Sequence, residues 1–241
     1  MKRILVAINW VKYKDPIKKR NQDVAVEVLM KGSPKNVKVV SMNLWDDDVE
    51  TAPVGLPIFK SLQRNSQKKI GNTRRLPYIK DIFDLCYKIK GSYDSDIFGY
   101  INSDILLPPS FYEYLDVGGD TFYFYRTEIG EVSCKDFING KVHYVPGGDK
   151  HAGNDAFFFR KKWWGKNREL FPDDLIVGES EWDTVFRHVI LMHCQNYFNK
   201  RSLFHVYHNQ KWDLTSPGAL NNIRIWDGVK AKYWPPYLQE K

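Results

Sequence analysis

Residues Ile4 to Ile8 form an unbroken apolar run that halts at Asn9-Trp10. A short run without alternation reads as a strand buried on both faces. The period then changes: Val24, Ala25, Val28 and Leu29 recur at helical spacing from Asn21, and Gly32 supplies a stop. Val37 to Asn43 returns to a strand pattern, so the first third opens as strand, helix, strand. Residues 44–73, with Asp46-Asp47-Asp48, Pro53, Gly55 and Pro57, read as a long loop, and such loops in compact domains are often functional. Ile79, Ile82, Phe83, Cys86 and Ile89 mark an amphipathic helix from Leu76, with Pro77 in its first turn and Gly91 beyond its end. Ile97 to Ile101 is the next strand.

Pro108-Pro109-Ser110 opens a short helix over Phe111 to Leu115. Thr121 to Arg126 and Asp155 to Arg160 are aromatic-rich and strand-like, with a turn-rich stretch between them. Trp182, Val185, Phe186, Val189, Ile190 and His193 define a helix, and Leu203 to Tyr207 a last strand. From Trp212 the tail is mixed, and Pro235-Pro236 argues against a long closing helix. No repeat, low-complexity tract or linker divides the 241 residues, which predicts one α/β domain.

Composition adds a charge. The chain carries +7, concentrated in Lys12 to Arg20, Lys60 to Arg75 and Arg160 to Arg168. Such an excess suits polyanionic partners: nucleotide diphosphates, nucleic acid or an anionic membrane face. Solvated helix faces and loops account for such clusters equally well. Cys86, Cys134 and Cys194 are scattered and odd in number, which suggests neither a zinc site nor a disulfide framework and fits a reducing compartment. Ile4 to Ile8 is too short for a signal sequence, and no segment approaches the ~18 apolar residues that span a bilayer. The expectation is a soluble cytoplasmic protein, in host cytoplasm if the source is viral.

Asn102-Ser103-Asp104 is the stretch most suggestive of chemistry, because a buried strand stops there on a polar triplet. Open α/β sheets bind ligands at the carboxyl edge of their strands, and a carboxylate at that edge suits a divalent cation holding a diphosphate. A strand-ending Asx-turn has the same spelling. Gly178-Glu179-Ser180-Glu181-Trp182-Asp183 puts acids before and within a helix start, where they serve either the helix dipole or proton transfer. His205 and His208 lie on and just past the last strand.

The order of these features resembles the GT-A class of nucleotide-sugar glycosyltransferases over roughly Lys2 to Trp212. Asn102 stands where many members carry the first acid of the DxD motif, which leaves Asp104 as the main metal ligand. The resemblance implies a GT-A-like, Rossmann-like fold with a mostly parallel, mixed central sheet flanked by helices. It divides the chain into a nucleotide-binding half (about 1–104), an acceptor-side half (about 105–212) and a tail (213–241). It further implies Mn²⁺ or Mg²⁺ on Asp104 with His208 or His205, and a UDP- or GDP-linked sugar donor. Donor contacts fall on Asn9, Asn43, Arg74, Arg75, Asn102, Asp104 and Asp155. Asp183, with Glu181 second, takes the role of catalytic base, which favours inversion. Trp163, Trp164 and Trp182 fall on the acceptor side.

A glycan is the default acceptor, with hydroxymethylated bases in DNA as the alternative the charge allows. Two other classes fit less well. A sugar nucleotidyltransferase needs a Gly-rich loop after the first strand, and Asn9 to Lys14 contains no glycine. A non-catalytic module binding single-stranded nucleic acid fits the mixed basic and aromatic clusters, but no recognised motif supports it.

Overall fold

The computed structural model describes residues 2–49, 52–150, 153–208 and 213–233. β1 (Ile4–Ile8) is buried along its whole length. It leads into α1 (Pro16–Gly32), where Asp15 caps the first turn by accepting from the Ile17 and Lys18 amides and Pro16 occupies a first-turn position. β2 (Val37–Leu44) and β3 (Ile58–Leu62) follow, then α2 (Ser66–Ile70), α3 (Ile79–Lys88), β4 (Ile97–Ile101) and β5 (Ile105–Leu106). The remainder is α4 (Glu113–Asp116), β6 (Thr121–Ile129), α5 (Cys134–Ile138), β7 (Asn154–Arg160), α6 (Lys161–Asn167), α7 (Trp182–His193), β8 (Tyr197–Val206) and α8 (Pro217–Tyr233).

All eight strands form one mixed sheet in the order β3-β2-β1-β4-β7-β6-β8-β5. β1 to β4, β6 and β8 point one way; β5 and β7 run against them. The fold is therefore a single α/β domain with a mostly parallel, mixed sheet. One face packs α3, α6 and α7 through residues such as Phe83, Trp164 and Phe186. The other packs α1 and the 3₁₀ turn at Pro109–Tyr112 through Val26, Leu29 and Phe111. Strand order reverses between β1 and β4, and such a switch point opens a crevice at the carboxyl edge. Asn102-Ser103-Asp104 lies on that edge.

Gly99 shows how tightly β4 and β7 fit. A Cβ there would lie 2.2 Å from the Phe158 ring and 2.5 Å from the Phe157 carbonyl oxygen. Backbone cannot yield as a side chain can, so Gly99→Ala is expected to cost about 3 kcal/mol in urea unfolding. An unchanged midpoint would contradict this packing.

Several elements differ from the sequence expectations. The segment 44–73 holds β3 and α2 rather than one long loop; β3 is an edge strand, half-exposed for most of its length, so it lacks the apolar continuity of β1. α1 starts at Pro16, five residues before Asn21. Pro77 lies outside α3, where it and Tyr78 bridge to Asn65 and Ile176. β8 begins at Tyr197, because its first half is exposed and shows no apolar pattern. A 17-residue closing helix, α8, does form and ends before Pro235-Pro236, which lie outside the described residues together with Trp212. α8 is anchored by polar bonds: Asn222 accepts from the Ile176 amide and donates to the Ile176 and Ser180 carbonyls, and Asn221 donates to the Asp174 carbonyl. The three cysteines are buried, free thiols. No helix among the described residues is long and apolar enough to cross a membrane.

Candidate active site

Two β-bulges meet at one point on β6. The β6–β7 register shifts between Phe124 and Tyr125, leaving Asp155 as the extra residue on β7. The β6–β8 register shifts between Tyr125 and Arg126, leaving Ser202 extra on β8. Bulges redirect side chains, and these lie where β6 carries Arg126 and Glu128 toward the carboxyl edge. The Arg126 Nη1 donates to Asp155 Oδ2 at 2.9 Å, and its Nε donates to Glu128 Oε1 at 2.9 Å. Asn102 Nδ2 donates to the other Asp155 oxygen at 2.6 Å. Glu128 pairs in register with His205, whose Nδ1 lies 2.6 Å from Glu128 Oε2. The His205 Nε2 faces Asp104 Oδ2 at 3.4 Å. One polar chain thus joins Asn102, Asp155, Arg126, Glu128, His205 and Asp104. Arg126, Glu128, Asp155 and His205 are all buried, and Asp104 keeps 28% of its side chain exposed.

Asp104, His205 and His208 each present a ligand atom, and the three atoms lie within 4.8 Å of one another. Burial works against the Asp104 charge, but His205, Arg126 and His208 outweigh it and hold the carboxyl down to about 2. Burial likewise opposes charge on His205, yet Asp104 and Glu128 raise it to about 9. One carboxylate oxygen and two imidazoles leave room for diphosphate oxygens and water on a six-coordinate ion. Imidazole suits Mn²⁺ better than Mg²⁺, which prefers an all-oxygen shell. The residues therefore fit a divalent cation.

Asp183 sits in the first turn of α7 and accepts from the Asn154 amide at 2.8 Å. Burial pushes its carboxyl up to about 6 against that bond, and the Asp155 charge adds to the rise. Glu181 precedes it in the left-handed region at φ 65°, uncommon for a side chain other than glycine, and makes no capping bond. Glu179 is the buried acid of this loop, bonded by Asn72 and Ser216, with Arg74 at 3.8 Å.

The remaining candidate residues divide. Arg74 is half-exposed and donates to the Gly178 carbonyl at 2.8 Å. Arg75 is tied to Asp46 and Asp47, at 3.0 Å from the latter. Asn9 donates to the Met42 carbonyl and Asn43, fully buried, to the Trp10 carbonyl, so both tie β1 to β2. Trp182 packs against Tyr100 and Phe157 inside the core. Trp163 and Trp164 are not at the site. They follow β7, which runs against β4 and ends beside Ile97, so α6 lies at the opposite edge of the sheet from Asp104. Trp164 is fully buried and donates to Asp84 at 3.0 Å; Trp163 stacks on Phe159. Trp163→Ala is expected to lower stability by about 1 kcal/mol; an unchanged midpoint in urea unfolding would contradict this packing.

Sequence reading missed three contributors. Tyr13, on the β1–α1 loop, stands among site charges: burial first and the Asp104 carboxylate next push its phenol up to about 12, with Arg74 pulling the other way. Gln22 holds that loop, donating to the Val11 carbonyl and accepting from the Ser103 hydroxyl at 2.9 Å. Arg126 and Glu128 form the third, and their i, i+2 spacing in an otherwise apolar strand was the available signal.

The basic clusters are largely matched by acids. Arg64 pairs with Asp81 and Asp174, Lys68 with Asp46, Lys69 with Asp174, Lys161 with Asp94, and Arg20 with Glu131. Among the described residues, these pairs do not support a continuous basic track of the kind a DNA acceptor needs.

No protein-family model and no curated protein matches the chain. Among solved structures it is similar to residues 1–349 of S. aureus TarS, with a TM-score of 0.46 and 12% identity over 85% of this chain and 60% of that one. It is also similar to the glycosyltransferase GlyE of Streptococcus pneumoniae TIGR4, with a TM-score of 0.44 and 11% identity over 98% of this chain and 65% of that one. For the inositol-1-phosphate CTP transferase from T. maritima the TM-score is 0.41 and the identity 12%, over 92% of this chain and 96% of that one. The chain thus spans 60% and 65% of the lengths of the first two.

Proposed function

We propose that the chain is a metal-dependent glycosyltransferase that moves a sugar from a nucleotide-diphosphate donor to a hydroxyl, with inversion at the transferred carbon. The observation that carries this reading is the meeting of Asp104, His205 and His208 at the carboxyl edge beside the sheet's switch point, with the raised carboxyl of Asp183 nearby. A dinucleotide or nucleotide-sugar crevice belongs at such a point. When bound, the cation neutralises the charge that builds on the leaving diphosphate.

The protein's own groups do the rest. Asp104, His205 and His208 hold the cation. Asn102 and Asp155, bonded to each other, offer their remaining lone pairs and N–H to donor hydroxyls. Tyr13 and Arg74 border the diphosphate side. Asp183, as carboxylate, takes the proton from the acceptor hydroxyl, and Glu181 stands second for that role. The acceptor we favour is a sugar hydroxyl on a glycan, and the donor is UDP- or GDP-linked.

Thermal unfolding with a panel of UDP-, GDP-, CMP- and dTDP-sugars, with and without Mn²⁺, tests the reading. A matching donor at about 100 times its Kd stabilises the fold by about 2.7 kcal/mol, and only with metal present. Slow release of free sugar from that donor should follow. A panel without shift or hydrolysis refutes the proposal.

A further inference from the structure

The three residues that would hold the cation leave a buried carboxylate unexplained. Glu128 is 7% exposed and lies behind His205, on the ring nitrogen that faces away from Asp104. Taking a charge out of water is costly unless every lone pair is engaged. Here each oxygen has a named partner: Oε1 accepts from the Arg126 Nε at 2.9 Å, and Oε2 meets the His205 Nδ1 at 2.6 Å. The backbone fixes the same pair, since Glu128 and His205 are register partners on β6 and β8. Arg126 is in turn held by Asp155, so Glu128 cannot rotate away without breaking a buried ion pair.

We propose that Glu128 is the positioning residue that aims His205 at the cation, braced by Arg126; this rests on the metal-binding reading of Asp104, His205 and His208. In the neutral imidazole, a proton on Nδ1 directed to Glu128 leaves Nε2, which faces Asp104, with its lone pair for the metal. A carboxylate on the far nitrogen of a ligating imidazole also strengthens that imidazole as a donor, and losing such a partner typically weakens metal binding by about 10- to 100-fold.

Mn²⁺ titrations read by the electron paramagnetic resonance of the free ion test this on the whole chain. The variants are Asp104→Ala, Glu128→Gln and Glu128→Ala, each checked by thermal unfolding. Glu128→Ala is expected to raise the Mn²⁺ Kd about 10- to 100-fold. Glu128→Gln keeps an acceptor oxygen for Nδ1 and should recover part of that loss. The Co²⁺ absorption spectrum should stay close to wild type in Glu128→Gln and shift in Glu128→Ala as the imidazole is misaligned. A purely structural Glu128 would move unfolding temperatures without this graded recovery. Should Glu128→Ala fail to fold, a wild-type Mn²⁺ Kd in Glu128→Gln overturns the inference. A folded Glu128→Ala that binds Mn²⁺ like wild type also overturns it while sparing the metal site, provided Asp104→Ala has lost binding. A wild-type protein that binds no Mn²⁺ defeats the underlying reading and the inference with it.

Discussion

On the proposed reading, replacing Asp104 with alanine should remove donor turnover and leave the fold in place. Metal stabilisation of a leaving diphosphate contributes several kcal/mol, and about 4 kcal/mol corresponds to a loss on the order of 10³-fold in kcat. The fold survives because Asp104 lies between β4 and β5 with part of its side chain in solvent, and His205 keeps its bond to Glu128. Stopped assays of nucleotide release, paired with far-UV circular dichroism, measure both sides. A folded Asp104→Ala protein with full activity would remove the metal from the reaction.

Asp183→Asn should lower kcat by about 10²- to 10⁴-fold with little change in donor KM, since a positioned base acts on the acceptor rather than on donor binding. Equal losses in both constants would assign the residue to binding. The pH profile separates the cases further. With its carboxyl raised to about 6, wild-type kcat should climb with pH up to that value and flatten above it. The limb should vanish in Asp183→Asn. Stability runs in the opposite sense. A carboxyl raised from 3.8 binds its proton more tightly in the folded state, so its contribution is complete below 3.8 and disappears as pH climbs through about 6. At pH 7 Asp183→Asn should therefore melt no lower than wild type, the usual mark of a site that trades stability for chemistry.

The parts of the fold legible in the chain were those in which local pattern and burial agree. β1 and β4 are buried along their whole length and β2 everywhere but Lys38, so largely apolar spelling marked them. β3 and the first half of β8 are exposed and lack that spelling. α8 docks through Asn221 and Asn222 and through the partly buried Ile225, Trp226 and Val229, a stripe diluted by the polar residues around it. At the site, Asp104 was visible because a strand stops there, and His205 and His208 because late histidines accompany such a stop in the class the chain resembles. Their convergence on one point is a finding of the structure. Trp163 and Trp164 misled because chain order does not say which edge of a sheet a residue reaches; an antiparallel β7 carries them to the far one. Glu128 and Arg126 offered only an i, i+2 pair of charges, whose meaning depends on two bulges that the spacing does not encode.

The polar chain across β4, β6, β7 and β8 has a consequence for biosynthesis. Asp104 leaves the ribosome about a hundred residues ahead of His205, and Glu128 and Asp155 emerge in between. A nascent polypeptide halted after β4 can pair β1, β2 and β4, yet it presents its aspartate without either imidazole. On the proposed metal-binding reading, cation capture would become possible only once β8 slots in beside β6 and His208 follows it, so premature termination products should be inert as scavengers of manganese in the cell.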